Sequence, residues 1–139
     1  MKHSINTVWK ENSTFETDLD GHNIIIDLSK ESGGSDAGPR PKKLALLAAT
    51  GCTSMDVIDI LKKMRVTPDK FNVRIDADLS ESHPITYTSI KVIYEFEGND
   101  LPKEKIERAC KLSFEKYCGV MAMYKKAIPV TYEINIKNS

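Results

Sequence analysis

The chain has 139 residues, enough for one hydrophobic core and short for two, so it is read as a single domain over 1–139. Twenty basic residues are balanced by twenty acidic ones, and the short basic pairs Lys42-Lys43 and Lys125-Lys126 stand among acids, which argues against a nucleic-acid partner. The start, Met1 to Asn6, lacks the apolar run of a signal peptide, and the longest aliphatic run, Ile24-Ile25-Ile26, is far too short to cross a bilayer; the expectation is a cytoplasmic protein with no membrane partner.

The opening third reads as sheet. Val8 to Lys10 and Thr14 to Asp18 precede an Asp20-Gly21 turn signal and a strand over His22 to Leu28, predicting a hairpin or short meander. Residues 32–41 hold three glycines and two prolines and cannot keep regular structure. From Lys42 to Met64 the pattern turns helical. Its first half, Leu44 to Cys52, is apolar or small on nearly every face and belongs in a core, whereas Val57, Ile60, Leu61 and Met64 form one stripe of a second half whose acids and lysines face water. Pro68 is expected to end the helix. Two alternating strands follow, Phe71 to Leu79 and Ile90 to Phe96. Asp100 is a candidate cap for a second helix with Pro102 in its first turn, running to about Cys118, with a short Met-rich helical turn after it. Pro129 introduces a last strand through Val130, Tyr132, Ile134 and Ile136. This order predicts an α+β domain.

Three cysteines in a chain of this size predict reduced thiols and no structural staple. Cys52 lies in the apolar half of the long helix between Gly51 and Thr53, and Cys118 ends the second helix. From spacing alone, packing explains both better than chemistry does, because free cysteine often serves as a small buried hydrophobe. Cys110 reads as core. No close-paired ligand spacing occurs, and His3, His22 and His83 sit at a terminus, beside a turn and before a proline, so neither a metal nor a cofactor is expected. The glycine-rich loop has no Walker lysine after Gly38 and no G-x-G-x-x-G, so it reads as a tight lead into the helix.

The stretch Gly38-Pro39-Arg40-Pro41 leading to Gly51-Cys52-Thr53-Ser54-Met55-Asp56, together with Tyr117-Cys118 and its preceding helix, resembles the two cysteine motifs of the osmotically inducible protein C (OsmC) and organic hydroperoxide resistance (Ohr) family. The resemblance covers nearly the whole chain. It implies an OsmC-like fold of N-terminal antiparallel strands, a long buried central helix, a strand pair, a second helix and a C-terminal strand, assembled as an intertwined homodimer. It further implies a thiol-dependent peroxidase in which Cys52 attacks an organic hydroperoxide, Cys118 resolves the product, and an external dithiol restores both. Arg40 lies in the leading loop, away from the position of the family arginine, and it or a lysine is the candidate cation for the thiolate. The pattern departs from the family at Lys42 and Lys43, where a glutamate paired with an arginine is expected, and at Gly119 and Met121, where proline and serine are common. The same scaffold without that pair would serve a non-catalytic small-molecule-binding or stress-related protein.

Overall fold

The computed structural model describes residues 1–139 and divides into two compact units, Met1–Leu46 and Leu47–Ser139. The first unit carries an antiparallel sheet in the order β1 (Thr7–Glu11), β2 (Thr14–Leu19), β3 (His22–Ile26). Leu19 pairs with His22, so the turn between them has two residues, Asp20 and Gly21, with φ of 54° and 82°. Both are left-handed, as a tight hairpin matching the strand twist requires.

Behind β3, the irregular loop is organised around a single carboxylate. Asp27 is buried and accepts from the hydroxyls of Ser13 and Thr14 and from the backbone N–H groups of Leu28, Ser35 and Ala37. The Ser13 hydroxyl leads these donors in holding the Asp27 carboxyl well below its ordinary range. A depressed carboxyl contributes stability that is present above its unfolded value and lost as pH falls below it. Asp27→Asn is therefore expected to lower the thermal midpoint at pH 7, with the gap from the parent closing as both are acidified below pH 3.8, the carboxyl's ordinary value. An unchanged gap in a pH series of melts would refute this. Glycines 34 and 38 belong to the same loop: a Cβ there would stand 2.1 Å from the carbonyl oxygens of Leu28 and Ile25. Close backbone approach explains them.

The long helix α1 (Pro41–Lys63) begins with proline at its first position, where a missing N–H costs nothing. Its end differs from expectation. The N–H of Val66 bonds Leu61 O at 2.9 Å, the N–H of Arg65 bonds Lys62 O at 3.1 Å, and Arg65 has φ 61°, so a Schellman cap closes the helix before Pro68. Within the chain α1 buries one stripe, Ala49, Thr53, Val57 and Leu61, at the four-residue spacing of a single face. Other apolar positions are open: Leu47, Met55 and Ile58 are 61%, 76% and 45% exposed. By length and composition alone, α1 is long and apolar enough to cross a membrane, a test that the core helix of a soluble protein also passes.

The second unit places β5 (Tyr87–Gly98) between β4 (Lys70–Leu79), antiparallel to it, and β6 (Val130–Asn138), parallel to it. A parallel neighbour needs a crossover, which α2 (Lys103–Leu112) and α3 (Gly119–Lys125) supply. The middle strand buries Ile90, Val92, Ile93, Tyr94 and Phe96. Two expectations for α2 fail. Asp100 is a left-handed turn residue with φ 50°, and Pro102 takes the cap position without a side-chain bond. Nor does α2 reach Cys118: at Ser113 the helix widens into a π turn over Ser113–Tyr117, closed by the Cys118 N–H on Ser113 O at 2.8 Å. The result is a mixed α+β chain of two three-stranded sheets and three α-helices.

Candidate functional site

A wide turn changes where the next side chain points, and π turns recur at functional sites for that reason. Here it delivers Cys118 to the cap position of α3, where its sulfur accepts from the Met121 N–H at 3.5 Å. The freed carbonyl of Phe114 accepts from Lys125 Nζ at 2.5 Å, and that ammonium also lies 4.2 Å from the Phe114 ring centre. These contacts anchor the turn from the α3 side.

Opposite lies α1, with Cys52 half-buried and Asp56 one turn later on the same face. Donor atoms of Cys52, Asp56 and Cys118 all lie within 4.8 Å of one another. Cys118 is buried and Cys52 is its hydrogen-bonding neighbour. Burial first, then the neighbouring Cys52 sulfur, pushes the Cys118 thiol up to about 11 against the opposing Met121 N–H, so it is a neutral thiol at pH 7. Cys110 is fully buried, its thiol raised to about 12 chiefly by burial, and it is core as its spacing indicated. All three cysteines are free.

Asp56 is held by a chain of buried hydroxyls. Tyr94 Oη lies 2.6 Å from Thr53 Oγ1, Thr53 Oγ1 lies 2.7 Å from Ser113 Oγ, and Ser113 Oγ lies 3.0 Å from Asp56 Oδ2. Each hydroxyl has one proton to give and an ionised carboxylate can only accept. The direction therefore follows: Tyr94 donates to Thr53, Thr53 to Ser113, and Ser113 to Asp56. Tyr94, Thr53 and Ser113 are all fully buried, and burial keeps the Tyr94 phenol above its usual range, so the donor at the head of the chain stays protonated. Asp56 also lines an open groove of about 590 Å³ between α1 and α2, with Asp59, Lys63 and Arg108 among its walls. This carboxylate therefore borders the groove and lies within 4.8 Å of the two sulfurs.

Of the residues singled out in the sequence, the second unit brings Cys52 and Cys118 together. Arg40 belongs to the first unit, where Asp36 binds its Nη2 and its Nη1 is buried with no hydrogen-bond partner. Asp36 is thus the acid paired with Arg40, while Lys42 and Lys43 are exposed. Sequence reasoning assigned Asp56 to the charged, solvent-facing side of the helix; its spacing of four from Cys52 was the available signal. Ser113 and Tyr94 gave no signal, since their roles depend on the π turn and on strand register.

Comparison with known proteins agrees with this architecture. The family model described as OsmC-like protein matches residues 33–133. Protein YhfA of Escherichia coli (strain K12) is 33% identical over 129 residues, spanning 92% of this chain and 93% of that protein. The crystal structure of a hypothetical protein from Aquifex aeolicus VF5 superposes with a TM-score of 0.81 at 26% identity over 99% of both chains. An organic hydroperoxide resistance protein OsmC from Legionella pneumophila shares the fold, with a TM-score of 0.69 at 12% identity over 97% of each chain.

Proposed function

Because the chain belongs to the OsmC-like protein family, we propose that it is a thiol-dependent peroxidase that reduces organic hydroperoxides with Cys52 as the attacking thiolate and Cys118 as the resolving thiol. The observation that carries this reading is the pairing of a half-buried thiol with a buried one inside a 4.8 Å cluster. Structural neighbours named for organic hydroperoxide resistance support this choice of substrate class.

The chemistry balances without a metal. Cys52 sulfur attacks the terminal oxygen of the hydroperoxide, the S–O bond forms as O–O breaks, and the alcohol leaves with a proton. Cys118 then attacks the sulfenic acid at Cys52, forming the disulfide and releasing water. A dithiol reductant returns two electrons by thiol–disulfide exchange, and such a cycle suits a reducing compartment such as the cytoplasm.

A thiolate near neutral pH needs a cation or donors. Arg40, in the loop that leads into the cysteine-bearing helix, is the residue we propose for it, because its guanidinium keeps its charge at any working pH. The protein acts as a homodimer in this account. The open apolar positions Leu47, Met55 and Ile58 on the central helix motivate a second copy. Light scattering at micromolar concentration is expected to give twice the 15.6 kDa chain mass, and a monomer would contradict the dimer. One equivalent of cumene hydroperoxide is expected to remove two of the three free thiols within seconds and leave Cys110; loss no faster than that of a simple thiol such as glutathione would count against the peroxidase.

A further inference from the structure

A resolving thiol that is neutral at working pH must lose its proton as it attacks, and the base for that step belongs beside it. Cys118 is such a thiol, 3% exposed, with no histidine in its cluster. The third member of the cluster is Asp56. A carboxylate there raises a difficulty for a thiolate, since a negative charge beside sulfur disfavours ionisation. Yet three buried residues, Tyr94, Thr53 and Ser113, form a one-way hydrogen-bond chain that ends on this carboxylate. Buried hydroxyl networks are costly when incomplete, and this one is complete and aimed.

We infer that Asp56 is the proton acceptor for Cys118, taking its thiol proton as the sulfur attacks Cys52, and passing it to the group that leaves Cys52 or to water in the adjoining groove. The inference rests on the two-cysteine reading and adds a residue to it. In the peroxide cycle the S–S bond forms, the S–O bond at Cys52 breaks, and the proton accepted by Asp56 goes to the departing hydroxide to make water. Ser113 donates to Oδ2, which leaves the other carboxylate oxygen free to accept. The two roles of a charge can be told apart by sign. If Asp56 acted on Cys118 only through its field, removing it would lower the thiol's pKa and speed the attack; loss of a base slows it.

The test needs no hydroperoxide, so it stands apart from the peroxidase reading. Reduced protein is mixed with one equivalent of 5,5′-dithiobis(2-nitrobenzoate). The half-buried Cys52 takes up one aryl thiolate and releases the other, and attack by Cys118 then releases the second. The two releases are read optically, the first reporting an intact Cys52 and the second the attack of Cys118. In Asp56→Asn the first release is expected to persist and the second to slow about a hundredfold at pH 7, the usual contribution of a positioned base. Its rate should then climb about tenfold per pH unit between pH 6 and 9, following the small thiolate fraction, while the parent climbs less steeply. Ser113→Ala, which keeps the charge and loses the aim, should fall between the two. A second release in Asp56→Asn as fast as the parent's, or faster, would overturn the assignment. Failure of the parent with cumene hydroperoxide, alongside a normal Asp56-dependent second release, would sink the peroxidase and leave the proton acceptor standing.

Discussion

Cys52→Ser is expected to lower the rate of hydroperoxide consumption by on the order of a thousandfold, because it removes the proposed nucleophile and leaves only thiols that burial keeps protonated. Cys118→Ser should behave differently. The first oxidation persists at near the parental rate and stops at the sulfenic acid, which a dimedone adduct at Cys52 would reveal by mass. Arg40→Met should slow the first step about tenfold to a hundredfold at pH 7, the effect of losing a cation proposed to assist the attacking thiol. Rates followed by peroxide loss separate these cases. Equal activity in Cys52→Ser and the parent would end the two-cysteine account, whereas equal activity in Arg40→Met would remove only Arg40.

Thr53→Val is expected to be the most destabilising of the conservative changes near the site. Valine matches threonine in shape, but the swap takes away the acceptor of Tyr94 and the donor to Ser113 in a fully buried setting. Leaving buried polar groups without partners costs about 1–3 kcal/mol each, so a loss of about 2–4 kcal/mol is expected in urea unfolding. Tyr94→Phe removes the head of the chain and leaves Thr53 its donation to Ser113, so about 1 kcal/mol is expected there. Near-equal losses for the two variants would mean that the hydroxyls do not act as a directed chain. The same Thr53→Val protein should also slow disulfide closure, since Ser113 loses the contact that fixes its proton on Asp56.

The strands, the central helix and the order of elements were legible because they rest on local pattern. Asp20-Gly21 permits one tight turn, and Phe71 to Leu79 alternates as a half-buried strand must. What the sequence hid was set by backbone geometry away from the pattern. A π turn has no composition signal, so Ser113–Tyr117 read as a continuation of α2, and the redirection of Cys118 toward Cys52 could not be foreseen from periodicity. The Schellman cap at Arg65 replaced the more visible Pro68 for the same reason. Asp27 was unremarked because five donors converge on it from three places in the chain. Asp56 was half legible: its spacing from Cys52 puts both on one face of α1, yet charge alone suggested water. The all-round apolarity of residues 44–52 was read as core, whereas within one chain only the Ala49–Thr53–Val57–Leu61 stripe is covered.

The central claim is the cooperation of Cys52 and Cys118, and peptide mass mapping of the oxidised protein tests it most directly. Reduced protein is treated with one equivalent of cumene hydroperoxide, alkylated, digested and mapped, with Cys52→Ser as control. The account predicts a single linkage joining the Cys52 and Cys118 peptides, absent in the control, with Cys110 alkylated only after unfolding. A parent protein whose Cys52 and Cys118 are both recovered as free thiols, or linked elsewhere, would contradict it.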